Sequence, residues 1–122
     1  IKGSRNGLFV PNNFPDKGVV YICEGESDTA ALLTCGLNAV GRPSCNSGDR
    51  LLAELLVNHE AVICMDRDGV GRKGALSLVD YLKCHIQDVR ILEPPEKYND
   101  MREWLHGEGK KQVYSTAIQV YG

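Results

Sequence analysis

Residues Val62–Gly74 read VICMDRDGVGRKG. An apolar run ends in two aspartates, Asp66 and Asp68, and three glycines and two basic residues follow. The run Ala61–Met65 has the length and composition of a fully buried strand. A buried strand that ends in a carboxylate pair needs a use for two negative charges. Beyond the glycines, Ala75, Leu76, Val79, Leu82 and Ile86 follow a helical period.

Working outward, the same alternation recurs. VVYIC, from Val19 to Cys23, reads as a buried strand ending at Glu24-Gly25. A helix is expected next, with Ser27 or Asp28 as N-cap and Gly36 as its stop. LNAV (37–40) reads as a second strand, GRPSCNSG (41–48) as a loop and DRLLAELLVN (49–58) as a helix. DVRIL (88–92) reads as the fourth strand, and NDMREWLHG (99–107) as a helix capped by Asn99 or Asp100. Strands alternating with helices, and apolar throughout, predict an α/β fold. Its expected core is a central sheet of about four parallel strands flanked by helices on both faces. GLFV (7–10) is a candidate extra edge strand, and the tail KKQVYSTAIQVYG (110–122) fits helix or strand.

The 122 residues suit one domain with one core. Its expected parts are an N-terminal edge segment (1–18), a core (19–107) and a C-terminal tail (108–122). The chain begins at Ile1, and excision from a larger protein is expected. No apolar run reaches the ~20 residues of a membrane span and no signal-peptide pattern is present, so no membrane partner is expected. The five cysteines, Cys23, Cys35, Cys45, Cys64 and Cys84, include no C-x-x-C pair, which argues against a zinc ribbon or a thioredoxin-type site. Such usage suits a reducing, cytoplasmic setting. His59, His85 and His106 are scattered and read as surface or structural residues.

In an open parallel sheet, ligands gather beyond the carboxyl ends of the strands. Glu24, Asp28, Asp66, Asp68 and Asp100 all fall on that edge. Setting these and Glu26 aside leaves 14 basic residues against ten acidic ones, a mildly basic body. Clustered carboxylates repel unless a cation compensates, and oxygen-only ligands favour a hard ion such as Mg²⁺. Three other readings of the segment are weaker. Gly69, Gly71 and Gly74 spell the G-x-G-x-x-G of dinucleotide folds, but a pyrophosphate there would face two aspartates. An EF-hand loop from Asp66 lacks ligands at Val70 and Ser77. ICMDRDGV also looks like the first motif of haloacid-dehalogenase-type phosphatases, a remote alternative that lacks a later acidic pair.

YICEGESDTAALLTCGLNAVGRPS followed by VICMDRDGVGRKGA resembles the Toprim domain. That domain is shared by bacterial-type DNA primases, type IA and type II topoisomerases, OLD-family nucleases and recombination-mediator proteins. The resemblance rests on Glu24-Gly25 after one strand and Asp66-Arg67-Asp68-Gly69 after another, and it runs from Val19 to Trp104. It is nearest the primase and phage or plasmid primase–helicase branch. There a Lys-Asp-x-Asn-Asp/Glu segment follows the fourth strand. Here Lys97-Tyr98-Asn99-Asp100 stands in its place, and Asp100 is the nearest substitute for the third acid.

The resemblance implies a Rossmann-like Toprim sheet and Mg²⁺-dependent nucleotidyl transfer, with Mn²⁺ as a substitute ion. Glu24, Asp66 and Asp68 would be catalytic. Glu24 would act as acid/base with metal contact, Asp66 and Asp68 would hold metal, and Asp28 and Asp100 would lie at the cluster's edge. Arg42, Ser44, Arg67, Lys73 and Lys97 are candidate phosphate contacts. Gly25 and Gly69 would let backbone approach the site. The implied partners are single-stranded DNA, NTPs and a replicative helicase in cis or in trans. A primase-like catalytic core, nearly inactive in isolation, is the leading reading. A nuclease, a topoisomerase-type domain and a non-catalytic nucleic-acid-binding module compete with it.

Overall fold

The computed structural model describes residues 4–5, 8–42, 48–65, 69–93, 103–104 and 118–121. Four strands run parallel: β3 (Gly18–Glu24), β4 (Ala39–Arg42), β5 (His59–Cys64) and β6 (Asp88–Leu92). The apolar runs Val19–Cys23 and Ala61–Cys64 in the two central strands suit burial on both faces. Alternate side chains serve two cores. Val20, Ile22, Val40, Ala61 and Ile63 pack with Leu52 and Leu56, and with Leu78 and Leu82 of α3 (Gly69–Leu82). Tyr21, Cys23, Ala39, Val62 and Cys64 pack on the other face with Leu32 of α1 (Glu26–Thr34) and with Trp104. A third helix, α2 (Asp49–Leu55), carries Leu52.

The sheet is wider than the sequence predicts. Among the described residues it has seven strands, in the order β1 (Ser4–Arg5), β2 (Leu8–Phe9), β4, β3, β5, β6 and β7 (Ile118–Tyr121). The added members are antiparallel: the short pair β1 and β2 beside β4, and β7 beside β6. The ambiguous tail thus supplies a strand, because β6 would otherwise present an unpaired edge.

Other boundaries shift for local reasons. Strand β4 extends to Arg42, two residues beyond LNAV, so Gly41 and Arg42 belong to the sheet rather than to a loop. Helix α1 starts at Glu26, directly after Gly25, and no side chain caps it; Ser27 and Asp28 lie in its first turn. Its end is as expected: the amides of Gly36 and Leu37 donate to the carbonyls of Leu33 and Leu32, the paired bonds of a Schellman stop. Helix α3 begins at Gly69, ahead of its expected start, and ends at Leu82, short of Ile86. Leu76, expected on its apolar face, is 45% exposed. Three glycines in the first six residues of α3 each cost about 1 kcal/mol relative to alanine, so this half of the helix depends on tertiary contacts.

At the far edge of the sheet, His59 is buried beside Phe14, and its Nε2 donates to the Pro15 carbonyl at 2.8 Å. That contact ties the N-terminal segment to the start of β5, a structural role. Cys23 and Cys64 are buried free thiols. Glu103 and Trp104 are helical, in agreement with the expected last helix; its capping residues lie outside the described set. Among the described residues, no helix is long and apolar enough to cross a membrane.

Candidate active site

The chain connects β3 to β4 on one side and β5 to β6 on the other. The carboxyl ends of β3 and β5 therefore flank the point where the winding reverses, the place where open α/β sheets bind ligands. Glu24 is the last residue of β3. It pairs in register with Arg42 on β4. Ile22 pairs with Ile63, so two residues on Glu24 stands level with Met65, the residue before Asp66. Cys64 pairs with Leu92, which sets Glu93 level with Met65 as well. The edge thus presents a row, Arg42–Glu24–Met65–Glu93, whose shared parity places all four on the face covered by α3.

Glu24 is half-buried, and its carboxylate makes no hydrogen bond or ion pair among the described residues. It lines a small cleft of about 10 Å³ with Ile22, Cys23, Arg42, Ile63, Cys64 and Ala75. That volume is at the lower limit for one water molecule. A carboxylate at a strand end, opening into a cleft, has the chemistry of an oxygen ligand or a proton acceptor. The donor chemistry suits a hard cation.

Gly25 makes the turn that exposes Glu24. Its φ of 82° and ψ of 170° fall in a region that is nearly glycine-only. The Gly25 amide donates to the Arg42 carbonyl at 2.7 Å, and Thr29 Oγ1 donates to the Gly25 carbonyl at 2.8 Å. This first turn of α1 lies so near β4 that a Cβ on Gly41 would stand 2.2 Å from Thr29 Oγ1 and 2.9 Å from the Gly25 carbonyl oxygen. Gly25→Ala is expected to cost about 1–3 kcal/mol through backbone strain, and Gly41→Ala a similar amount through overpacking. Urea denaturation of the two variants checks both values. Gly41 escaped the sequence reading because nothing local marks a glycine whose neighbour is another element.

Arg42, a candidate phosphate contact, is only 4% exposed. Its NH1 donates to Asp49 Oδ1 at 3.0 Å and its NH2 to the Gly74 carbonyl at 3.2 Å, so the guanidinium joins β4 to α2 and α3. Lys73 is exposed on α3, and Gly69 opens that helix. Asp28 is buried in the first turn of α1, the helix that packs on the opposite face. Among the described residues, no group of three or more His, Cys, Asp or Glu side chains is placed to hold a metal ion. Asp66, Arg67, Asp68, Ser44, Lys97 and Asp100 lie outside the described residues. The sequence reading missed Asp49 and Glu93. Glu93 pairs with Arg72 of α3. It was findable, since it directly follows the strand DVRIL.

The Toprim-like family profile matches residues 21–105, and the chain belongs to that family. Its fold is similar to part of the DnaG catalytic core, with a TM-score of 0.71 at 22% identity, over 88% of this chain and 36% of that one. A DnaG primase catalytic domain bound to single-stranded DNA matches with a TM-score of 0.68 at 22% identity, over 88% and 36% of the two chains. The zinc-binding and RNA polymerase domains of the Aquifex aeolicus primase match with a TM-score of 0.69 at 23% identity, over 84% and 27%. The chain therefore spans about a third of the length of these structures. No curated protein matches it.

Proposed function

We propose that this domain is the Mg²⁺-dependent nucleotidyl-transfer core of a primase-like replication protein. The supporting observation is the position of Glu24: unengaged among the described residues, at the switch point of a Toprim sheet, level with the residue that precedes Asp66-Arg67-Asp68 in the chain. Likeness to primase folds favours primer synthesis over the other chemistries of the family. Asp66 and Asp68 would hold the ion, with Glu24 near enough in register to assist and Asp100 a peripheral member. Bound Mg²⁺ would neutralise charge building on the phosphate oxygens during transfer. The Glu24 carboxylate would accept the proton of the attacking 3′-hydroxyl. Arg67, Lys73, Lys97 and Ser44 would contact phosphates. Single-stranded DNA is the proposed template, NTPs the substrates and a replicative helicase the working partner.

Mn²⁺ or Mg²⁺ at millimolar concentration is expected to raise the melting temperature of the chain by mass action. Asp66→Asn with Asp68→Asn abolishes that shift and leaves the metal-free protein as stable as the parent or more so, because like-charge repulsion is relieved. Differential scanning fluorimetry across a metal titration reads both effects. A parent whose melting is indifferent to metal removes the metal-dependent reading. Incubating the full-length polypeptide with single-stranded DNA, NTPs and Mg²⁺ then separates the chemistries. Primers support the proposal; cleavage fragments without primers assign the site to a nuclease.

A further inference from the structure

We propose that Arg42 is a positioning residue, fixing the glycine-rich start of α3 against the strand end that carries Glu24. The inference rests on the metal-site reading above for its importance to function, and on geometry alone for the anchoring itself.

Helix α3 follows Asp66-Arg67-Asp68 in the chain, and its first half contains Gly69, Gly71 and Gly74. Glycine there supplies little helical preference and no side chain to pack. Something outside the helix has to hold it. Two arginines reach across that half from opposite sides of the row at the sheet edge. Arg42 enters from β4 and donates to the Gly74 carbonyl, while its other nitrogen is held by Asp49 at the start of α2. Arg72 leaves α3 on the other side and pairs with Glu93 at the end of β6. The two anchors differ in character. The Arg72 and Glu93 side chains are 45% and 27% exposed, and such solvent-screened pairs hold weakly. The Arg42 side chain is 5% exposed, and its bond to Gly74 is buried.

A guanidinium is suited to this task because its planar fork holds two acceptors at fixed relative positions. Lysine keeps the charge but loses the fork. Glu24 and Arg42 are register partners on adjacent strands. Arg42 therefore links Glu24's strand end to α3 through one buried side chain.

The test compares the parent with Arg42→Lys, Arg42→Met and Asp49→Asn. Hydrogen exchange in metal-free protein, well below the melting temperature, is followed at the amides of Lys73–Ser77 and at those of Val20–Ile22. Mn²⁺ affinity is measured on the same samples by electron paramagnetic resonance of the free ion. Both Arg42 variants are expected to exchange faster at Lys73–Ser77 alone, as local opening, and to bind Mn²⁺ about tenfold more weakly or worse. Asp49→Asn, which keeps the guanidinium and alters a half-exposed partner, is expected to show a smaller change of the same pattern, and it remains informative if the Arg42 variants do not fold. Variants that lose melting temperature yet keep parental exchange in α3 and parental Mn²⁺ affinity would overturn the proposal. Parent protein that binds no Mn²⁺ overturns the metal reading instead, and exchange at Lys73–Ser77 alone then decides whether Arg42 anchors the helix.

Discussion

Glu24→Gln is expected to lower nucleotidyl transfer by about 10²–10⁴-fold, the range for loss of a positioned acid/base. The amide keeps the shape of the side chain and its place at the end of β3, so the fold is not at issue. It removes the ability to accept a proton. Mn²⁺ affinity is expected to fall far less than in the Asp66→Asn and Asp68→Asn double variant, because Glu24 contributes to the ion as an assistant rather than a principal ligand. Assay of the full-length polypeptide on single-stranded DNA with NTPs, paired with a metal titration, measures the two effects separately. Equal losses of turnover and of Mn²⁺ affinity would make Glu24 a metal ligand and leave the proton acceptor to be found elsewhere.

Trp104→Ala is expected to destabilise the domain by about 3–5 kcal/mol, a large share of the stability of a domain this size. Trp104 is 1% exposed and packs with Tyr21, Cys23, Leu32, Val62 and Leu92 on the face away from α3. It is the only tryptophan in the chain. Chemical denaturation of Trp104→Phe beside Trp104→Ala separates volume from aromaticity. The phenylalanine variant is expected to recover more than half of the loss, and no recovery would point to the indole N–H instead. Followed by circular dichroism, the transition does not depend on the lost fluorophore. Neither variant changes the row at the opposite face, so residual folded protein is expected to keep parental Mn²⁺ affinity.

Much of this protein is written locally. Val19–Cys23 and Ala61–Met65 are apolar on every residue, which demands burial on two faces and implies parallel strands between helices. Gly36 stops α1 by a bond pattern that needs only neighbouring residues. Glu24-Gly25 and Asp66-Arg67-Asp68 are recognisable because each motif sits at the end of such a strand, and chain order places strand ends on one edge. Those features alone imply the fold class and the candidate acids.

What the tertiary structure decided depends on which elements meet. Strand order put β3 beside β5 and so set Glu24 level with Met65; no local pattern encodes that neighbour. The tail, which by itself fits helix or strand, forms β7 where it pairs with the open side of β6. Gly41 is required by Thr29 and Gly25 on another element, and Arg42, read from sequence as a phosphate contact, is drawn inward by Asp49 and the Gly74 carbonyl. The physical reason is common to all four. Burial and hydrogen bonding are satisfied between segments distant in the chain, so sequence states which groups need partners, and packing alone determines which partners they find.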